Sequence, residues 1–269
     1  MGNVSAIFDD TPALTVSRWI NNIPNDGLIH FHGLLGSDYV IVTRPQGFAE
    51  VMMKHPYNFE KTNGMQRYVR RFLGDGIIID AGPKHVKDRK LLRSSFQPRQ
   101  INSMKPFMSS RCQLLTQCMI DEADQSYTAD ETSSFNVSVD AWLSRLALDV
   151  AFAFALGVDF RVVSDRNSEV FAAYSRRFAC DARKRKHYMW HNAFPSWLAS
   201  RLVGDLDAEL DGAYRTLKSI VRTTVVERQS QRFTREKVYE HDILSLLVAS
   251  GGFTTKAIVE QILLMIAAG

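Results

Sequence analysis

The run Ile262-Leu263-Leu264-Met265-Ile266-Ala267-Ala268-Gly269, at the end of a 269-residue chain, contains no polar side chain. Gly251-Gly252-Phe253-Thr254-Thr255 before it reads as a loop supplying an N-cap threonine, and Lys256 to Gln261 then lead into the run as a helix. A helix that is apolar all round must be enclosed by other elements. The chain therefore has to build a helical body around its own last segment. A terminal carboxylate inside such a body is costly, so the helix is expected to continue in a longer protein. The alternative is a terminal helix capped by Gly269 with its end in water.

The rest of the chain supplies such a body. From Pro83 onward, candidate helices cover residues 83–96, 99–123, 138–157, 167–186, 205–231 and 255–269, with a polar loop at Tyr127 to Ser134. Leu28 to His32 and Tyr39 to Thr43 are short β-prone runs, and Gly36-Ser37 between them suits a two-residue type II′ hairpin turn. Pro45 stands at a helix start leading into Phe48 to Met52. The stretch after His55-Pro56, with Asn63-Gly64 and Gly74-Asp75-Gly76, reads as irregular. The expected fold is mainly α with a small N-terminal β-sheet.

Several functions are excluded. A net charge of +4 without a dense basic run or a zinc-finger or RNA-binding signature gives no basis for nucleic-acid binding. Cys112, Cys118 and Cys180 form no C-x-x-C pair, and a reducing environment fits them. No secretory signal opens the chain. Arg145 and Asp149 interrupt the apolar run from Leu143 to Phe160, which is read as a core helix. A soluble or peripherally attached chain is expected. The histidine spacing is read as offering no metal pair, so no metal held by side chains is expected, and no phosphate loop or catalytic triad is found.

Two basic features ask for partners. In the helix beginning at Pro83, His85, Arg89, Leu92 and Phe96 fall at i, i+4, i+7 and i+11, on one face. Leu92 and Phe96 are expected to face the core, and Arg89 beside them would carry a charge inward, needing an anion. Its planar fork suits a carboxylate, and His85 could add a second hydrogen bond. The alternative is a solvated basic helix, given Lys84, Lys87, Lys90 and Arg93. Further on, Arg176-Arg177 and Arg183-Lys184-Arg185-Lys186-His187 precede Tyr188, Met189, Trp190 and Phe194-Pro195-Ser196-Trp197. Basic residues beside aromatic ones suit an anionic bilayer surface; a solvated helix end plus a packed loop is the alternative.

Leu73-Gly74-Asp75-Gly76-Ile77-Ile78, then Gly82 to Leu92 with Ser95-Phe96, resembles the B–C loop and C helix of cytochromes P450. Leu263 to Gly269 resembles the first half of that family's oxygen-binding I helix. Asn25 to Ile29, Tyr57 to Lys61, Leu148-Asp149-Val150 with Leu156 to Phe160, and Asp242 to Ser245 agree in order, in a fungal style. The resemblance implies an incomplete cytochrome P450 fold: residues 1–269 as the N-terminal portion of a single domain, from the first β-sheet through the first part of the I helix. It implies haem as cofactor, with His85 and Arg89 binding a propionate. Ala268 and Gly269 would begin the oxygen site, where small residues leave room for dioxygen. Ile77, Ile78 and Met265 would line the substrate pocket, and the basic–aromatic segment would be the F–G region that roofs it and touches the membrane.

The resemblance further implies a monooxygenase that oxidises an apolar or amphipathic small molecule with O2 and electrons from NADPH-cytochrome P450 reductase, at the endoplasmic reticulum membrane. The acid-threonine part of the I helix, the Glu-x-x-Arg pair and the loop with the proximal cysteine are not found in the sequence, nor is an N-terminal anchor. None of Cys112, Cys118 and Cys180 sits in a suitable context to ligate iron. The chain alone is expected to be inactive and cytoplasmic or peripheral. The rival expectation is a catalytically dead fragment acting as a binding or membrane-surface module.

Overall fold

The computed structural model describes residues 3, 12–33, 36–126, 138–179, 181–230 and 241–268. The loop expected at Tyr127 to Ser134, and the residues Cys180 and Gly269, lie outside them. The chain is mostly helical with one two-stranded sheet, and it divides into two compact units: Met1–Val69 with Cys180–Ala208, and Arg70–Ala179 with Glu209–Gly269.

In the first unit, helix α1 (Pro12–Asn22) precedes strands β1 (Leu28–His32) and β2 (Asp38–Val42), which pair antiparallel with Leu28 opposite Val42 and His32 opposite Asp38. Alternation puts Ile29 and Phe31 inward. Trp19 of α1 and Tyr39 of β2 pack on Phe31, with ring centroids at 5.3 and 5.2 Å. The strands are joined across residues 33–37, and β2 begins one residue earlier than the expected Tyr39. Pro45 opens α2 (Pro45–Ala49), which runs into a π turn at Glu50–Lys54.

Helix α3 (Asn63–Leu73) occupies a stretch expected to be irregular. Thr62 Oγ1 accepts a hydrogen bond from the Met65 N–H at 3.3 Å, so Asn63-Gly64 is a helix start and not a turn. Gly64 is required there by proximity: a Cβ on it would lie 2.1 Å from the backbone oxygen of Asn192. Asn192 belongs to α9 (Ala182–Ala193), which is followed by α10 (Ser196–Val203). Phe194-Pro195 separate these two helices, and Ser196-Trp197, part of the packed loop in the alternative reading of this segment, open α10.

The second unit contains α4 (Gly82–Leu92), a 3-10 turn at Arg93–Phe96, α5 (Pro98–Ser103), α6 (Lys105–Ser126), α7 (Val139–Leu156) and α8 (Glu169–Phe178). It also holds most of α11 (Asp205–Gln229), then α12 (Ile243–Ser250) and α13 (Thr255–Ala268). The segment expected as one helix over 167–186 is two, because Asp181 caps α9 by accepting from the Lys184 N–H at 2.7 Å.

Fully buried stripes of four-residue spacing meet in the core: Leu148, Phe152 and Leu156 of α7, Leu217, Val221 and Val225 of α11, and Ile258, Ile262 and Ile266 of α13. Each such large side chain contributes about 1.5–3 kcal/mol on burial. The two charges that interrupt the apolar run of α7 hold the loop after it. Asp149 accepts the Val162 and Val163 N–H groups at 2.7 and 3.0 Å, and Arg145 donates to the carbonyls of Val162, Asp165 and Arg166. Burial raises the Asp149 carboxyl, and the two backbone donors partly offset that shift.

Candidate functional site

Helix α13 is buried as its composition requires, with Ile258 through Leu264 and Ile266 all enclosed. Thr254 caps it, accepting from the Ala257 N–H at 3.2 Å. Two of its polar residues are buried as well and bind neighbouring segments. Gln261 Oε1 accepts the Ile77 N–H at 3.2 Å, and Gln261 Nε2 donates to Asp88 Oδ2 at 3.3 Å. Gly76 lets this segment lie on α13, since a Cβ there would meet Leu264 Cδ1 at 2.3 Å. Ile77 consequently packs on the main core, and Ile78 is half-buried beside it.

The inward face of α4 differs from the expected one. Its buried residues are Asp88 and Leu92, whereas Arg89 is exposed and His85 half-buried. Phe96, expected to face the core, is 45% exposed. The α-helix gives way to a 3-10 turn after Leu92, which rotates Phe96 off the stripe. The buried charge of α4 is thus Asp88. Lys84 Nζ lies 3.8 Å from Asp88 Oδ2 and pairs more closely with Asp80. Burial first, and the Asp80 carboxyl second, hold the Asp88 carboxyl above the usual carboxylate range.

Met265 and Ala268 open onto an apolar cavity of about 700 Å³, which Phe96, Met108, Leu143 and Phe154 also line. The structure therefore brings Met265 and Ala268 together with Phe96 against α6 and α7. His85, Arg89, Ile77 and Ile78 are not among its lining residues. His85 and Arg89 stand one turn apart on the accessible side of α4, so an anionic group such as a haem propionate can reach both, and Arg suits such a group bidentately. Among the described cysteines, Cys112 lines the cavity and Cys118 is half-buried, its thiol pushed up by burial.

The basic–aromatic segment resolves into distinct parts. Arg177 is buried, donates to the Phe72 carbonyl, and lies over the Phe72 ring at 4.7 Å and the Tyr214 ring at 5.3 Å. On α10, Trp197 and Leu202 are exposed next to Arg201. No helix among the described residues is long and apolar enough to cross a membrane. Sequence reasoning missed Asp88 and Gln261, whose pairing across 173 positions leaves no local trace. It also missed a histidine pair. His187 and His191 are four apart on α9 and both approach Asp207, which corrects the reading that no metal-type spacing exists.

Comparison with known proteins places these features. The sequence model described as Cytochrome P450 matches residues 27–269. The chain is similar to the cytochrome P450 monooxygenase sphH of Aspergillus fumigatus, 25% identical, with all of this chain and 49% of the relative covered. It is also similar to the cytochrome P450 monooxygenase ALT8 of Alternaria alternata, 24% identical over 98% of this chain and 48% of the relative. The crystal structure of the cytochrome P450DA heme domain superposes with a TM-score of 0.70 at 19% identity, covering 97% of this chain and 52% of that one. The chain spans about half the length of the curated relatives it matches. With the helical body, the small N-terminal hairpin and the buried α13 in the order that the resemblance requires, and a family match over nearly all of its length, the chain belongs to the cytochrome P450 family.

Proposed function

We propose that the chain forms the oxygen side of the haem pocket in a haem-dependent monooxygenase that oxidises an apolar or amphipathic small molecule with O2. The observation that carries this reading is α13 with Met265 and Ala268 at the edge of an apolar cavity, in a chain of this family. Haem, when bound, supplies dioxygen activation, and the protein supplies binding, orientation and electrostatics. His85 and Arg89, one turn apart on α4, would hold a haem propionate. Ala268, with only a methyl side chain, would leave room where dioxygen binds, a role that the family resemblance also gives to Gly269. Met265 would present apolar surface to the substrate at the cavity edge, while Ile77 and Ile78, which do not line that cavity, take a pocket role only from the family resemblance.

The thiolate that tunes the iron comes, in this reading, from residues outside these 269, so the chain alone is inactive. Coverage of about half of each relative supports that division. Electrons come from NADPH-cytochrome P450 reductase. The exposed Trp197, Arg201 and Leu202 on α10 support contact with a membrane surface, consistent with action at the endoplasmic reticulum. The test is Arg89→Ala in a full-length version. Haem retained per polypeptide after gel filtration falls at least several-fold while far-ultraviolet circular dichroism is unchanged. Equal haem content would sink the propionate role.

A further inference from the structure

On α9, His187 and His191 stand one turn apart, which directs both imidazoles to the same side of the helix. That side meets the first turn of α11, where Asp207 receives them. His187 Nε2 lies 2.6 Å from Asp207 Oδ1, and His191 Nε2 lies 3.3 Å from the same oxygen. The other oxygen, Oδ2, accepts the Ser200 hydroxyl at 2.7 Å. The three residues are 0, 3 and 8% exposed. Tyr68 walls the group, with its ring centroid 5.9 Å from that of His187 and 6.1 Å from that of His191.

Two imidazoles and a carboxylate that converge in the interior can form a hydrogen-bonded group or hold a divalent cation. The geometry favours the cation because both histidines aim the same ring nitrogen at a single oxygen. Zn–N and Zn–O bonds of about 2.0–2.2 Å in a tetrahedron put ligand atoms roughly 3.3 Å apart. The His191–Asp207 separation already has that value, and the candidate ligand atoms all lie within 4.8 Å of one another. His187 has to withdraw by less than about 1 Å. Two imidazoles and one carboxylate suit zinc and its transition-metal neighbours, and disfavour calcium and magnesium, which take oxygen ligands. Of the cations on the same helix, Arg183 and Lys186 are exposed, so water screens their repulsion of a bound ion, whereas Lys184 and Arg185 are half-buried.

We propose that His187, His191 and Asp207 bind one zinc-class divalent ion, with the Ser200 hydroxyl or a water in the fourth position. The ion ties α9 to the start of α11 across α10. This inference rests on the geometry of the cluster and does not depend on the haem reading.

An exposed group, His30, His32 and Asp38, also brings two imidazoles to one carboxylate oxygen, at 2.8 and 3.0 Å. It lies open to solvent on the hairpin, so the test removes it. The purified haem-free chain carrying His30→Gln and His32→Gln is titrated with Co(II) and with Zn(II) against a chromophoric chelator. The expected result is one equivalent bound, with intense d–d absorption of the tetrahedral type and a melting temperature that falls when the chelator is in excess. His191→Gln added to this background weakens Zn(II) binding on the order of 100-fold or more. Absence of the tetrahedral Co(II) spectrum, or a melting temperature indifferent to Zn(II) and chelator, overturns the proposal and leaves a hydrogen-bonded His–Asp–His group. These two readings are made before any buried residue is changed, so they decide the matter even where His191→Gln fails to fold.

Discussion

Asp88 lies on the buried side of α4 with the Asp80 carboxyl as its neighbour, and burial first and that carboxyl second hold its pKa up. Because the folded protein raises the Asp88 pKa, it binds that proton more tightly than the unfolded chain does. The associated stability is therefore fully present below the ordinary carboxylate pKa of 3.8, and is lost as pH rises through the raised value. We expect the wild type to lose stability relative to Asp88→Asn over that window, with a slope of at most about 1.4 kcal/mol per pH unit. Urea unfolding of both proteins across acidic pH checks this, and parallel curves would contradict it. At this scale the sequence was least legible. Asp88 and Arg89 are adjacent, and a stripe drawn through Leu92 at helical spacing favours Arg89. The partner that selects Asp88 is Gln261, far along the chain. The His187–His191 pair was in plain view, yet the four basic residues before it drew the reading towards a charged surface.

Elements whose cause is local were legible. The hairpin strands follow from β-branched alternation, α2 from its leading proline, and α13 from its threonine cap and continuous apolar surface. Elements whose cause is tertiary were not. Asn63-Gly64 has turn chemistry, and only the approach of Asn192 explains a glycine inside the first turn of α3. Gly64→Ala pushes a methyl group into that backbone oxygen, so α3 and α9 must separate locally. The expected cost is roughly 1–3 kcal/mol, read as a lower urea midpoint with an unchanged slope. A midpoint equal to the wild type's, as helix propensity alone would favour, would contradict the contact. The split between α8 and α9 is of a third kind, because Asp181 was present as a capping signal but lay within a longer helical pattern.

At the scale of the whole molecule, the composition and the order of motifs already pointed to a helical body of this family, and the match over residues 27–269 agrees. Two properties of that body bear on its chemistry. An apolar cavity of about 700 Å³ adjoins the end of α13, and the chain covers about half of each curated relative. The proposed division, with the oxygen side of the pocket in this chain and the iron's thiolate ligand outside it, accounts for both. The cavity was not legible in the sequence, since α5, α6 and α7 each carry unremarkable apolar residues and only their packing leaves Met104, Leu146 and Val150 facing one space. The most direct measurement is the carbon monoxide difference spectrum of the purified chain supplied with haem and reduced. The account predicts no thiolate-type Soret band, because none of Cys112, Cys118 and Cys180 takes the iron. A thiolate-type band from this chain would contradict the account and bring the ligand within these 269 residues.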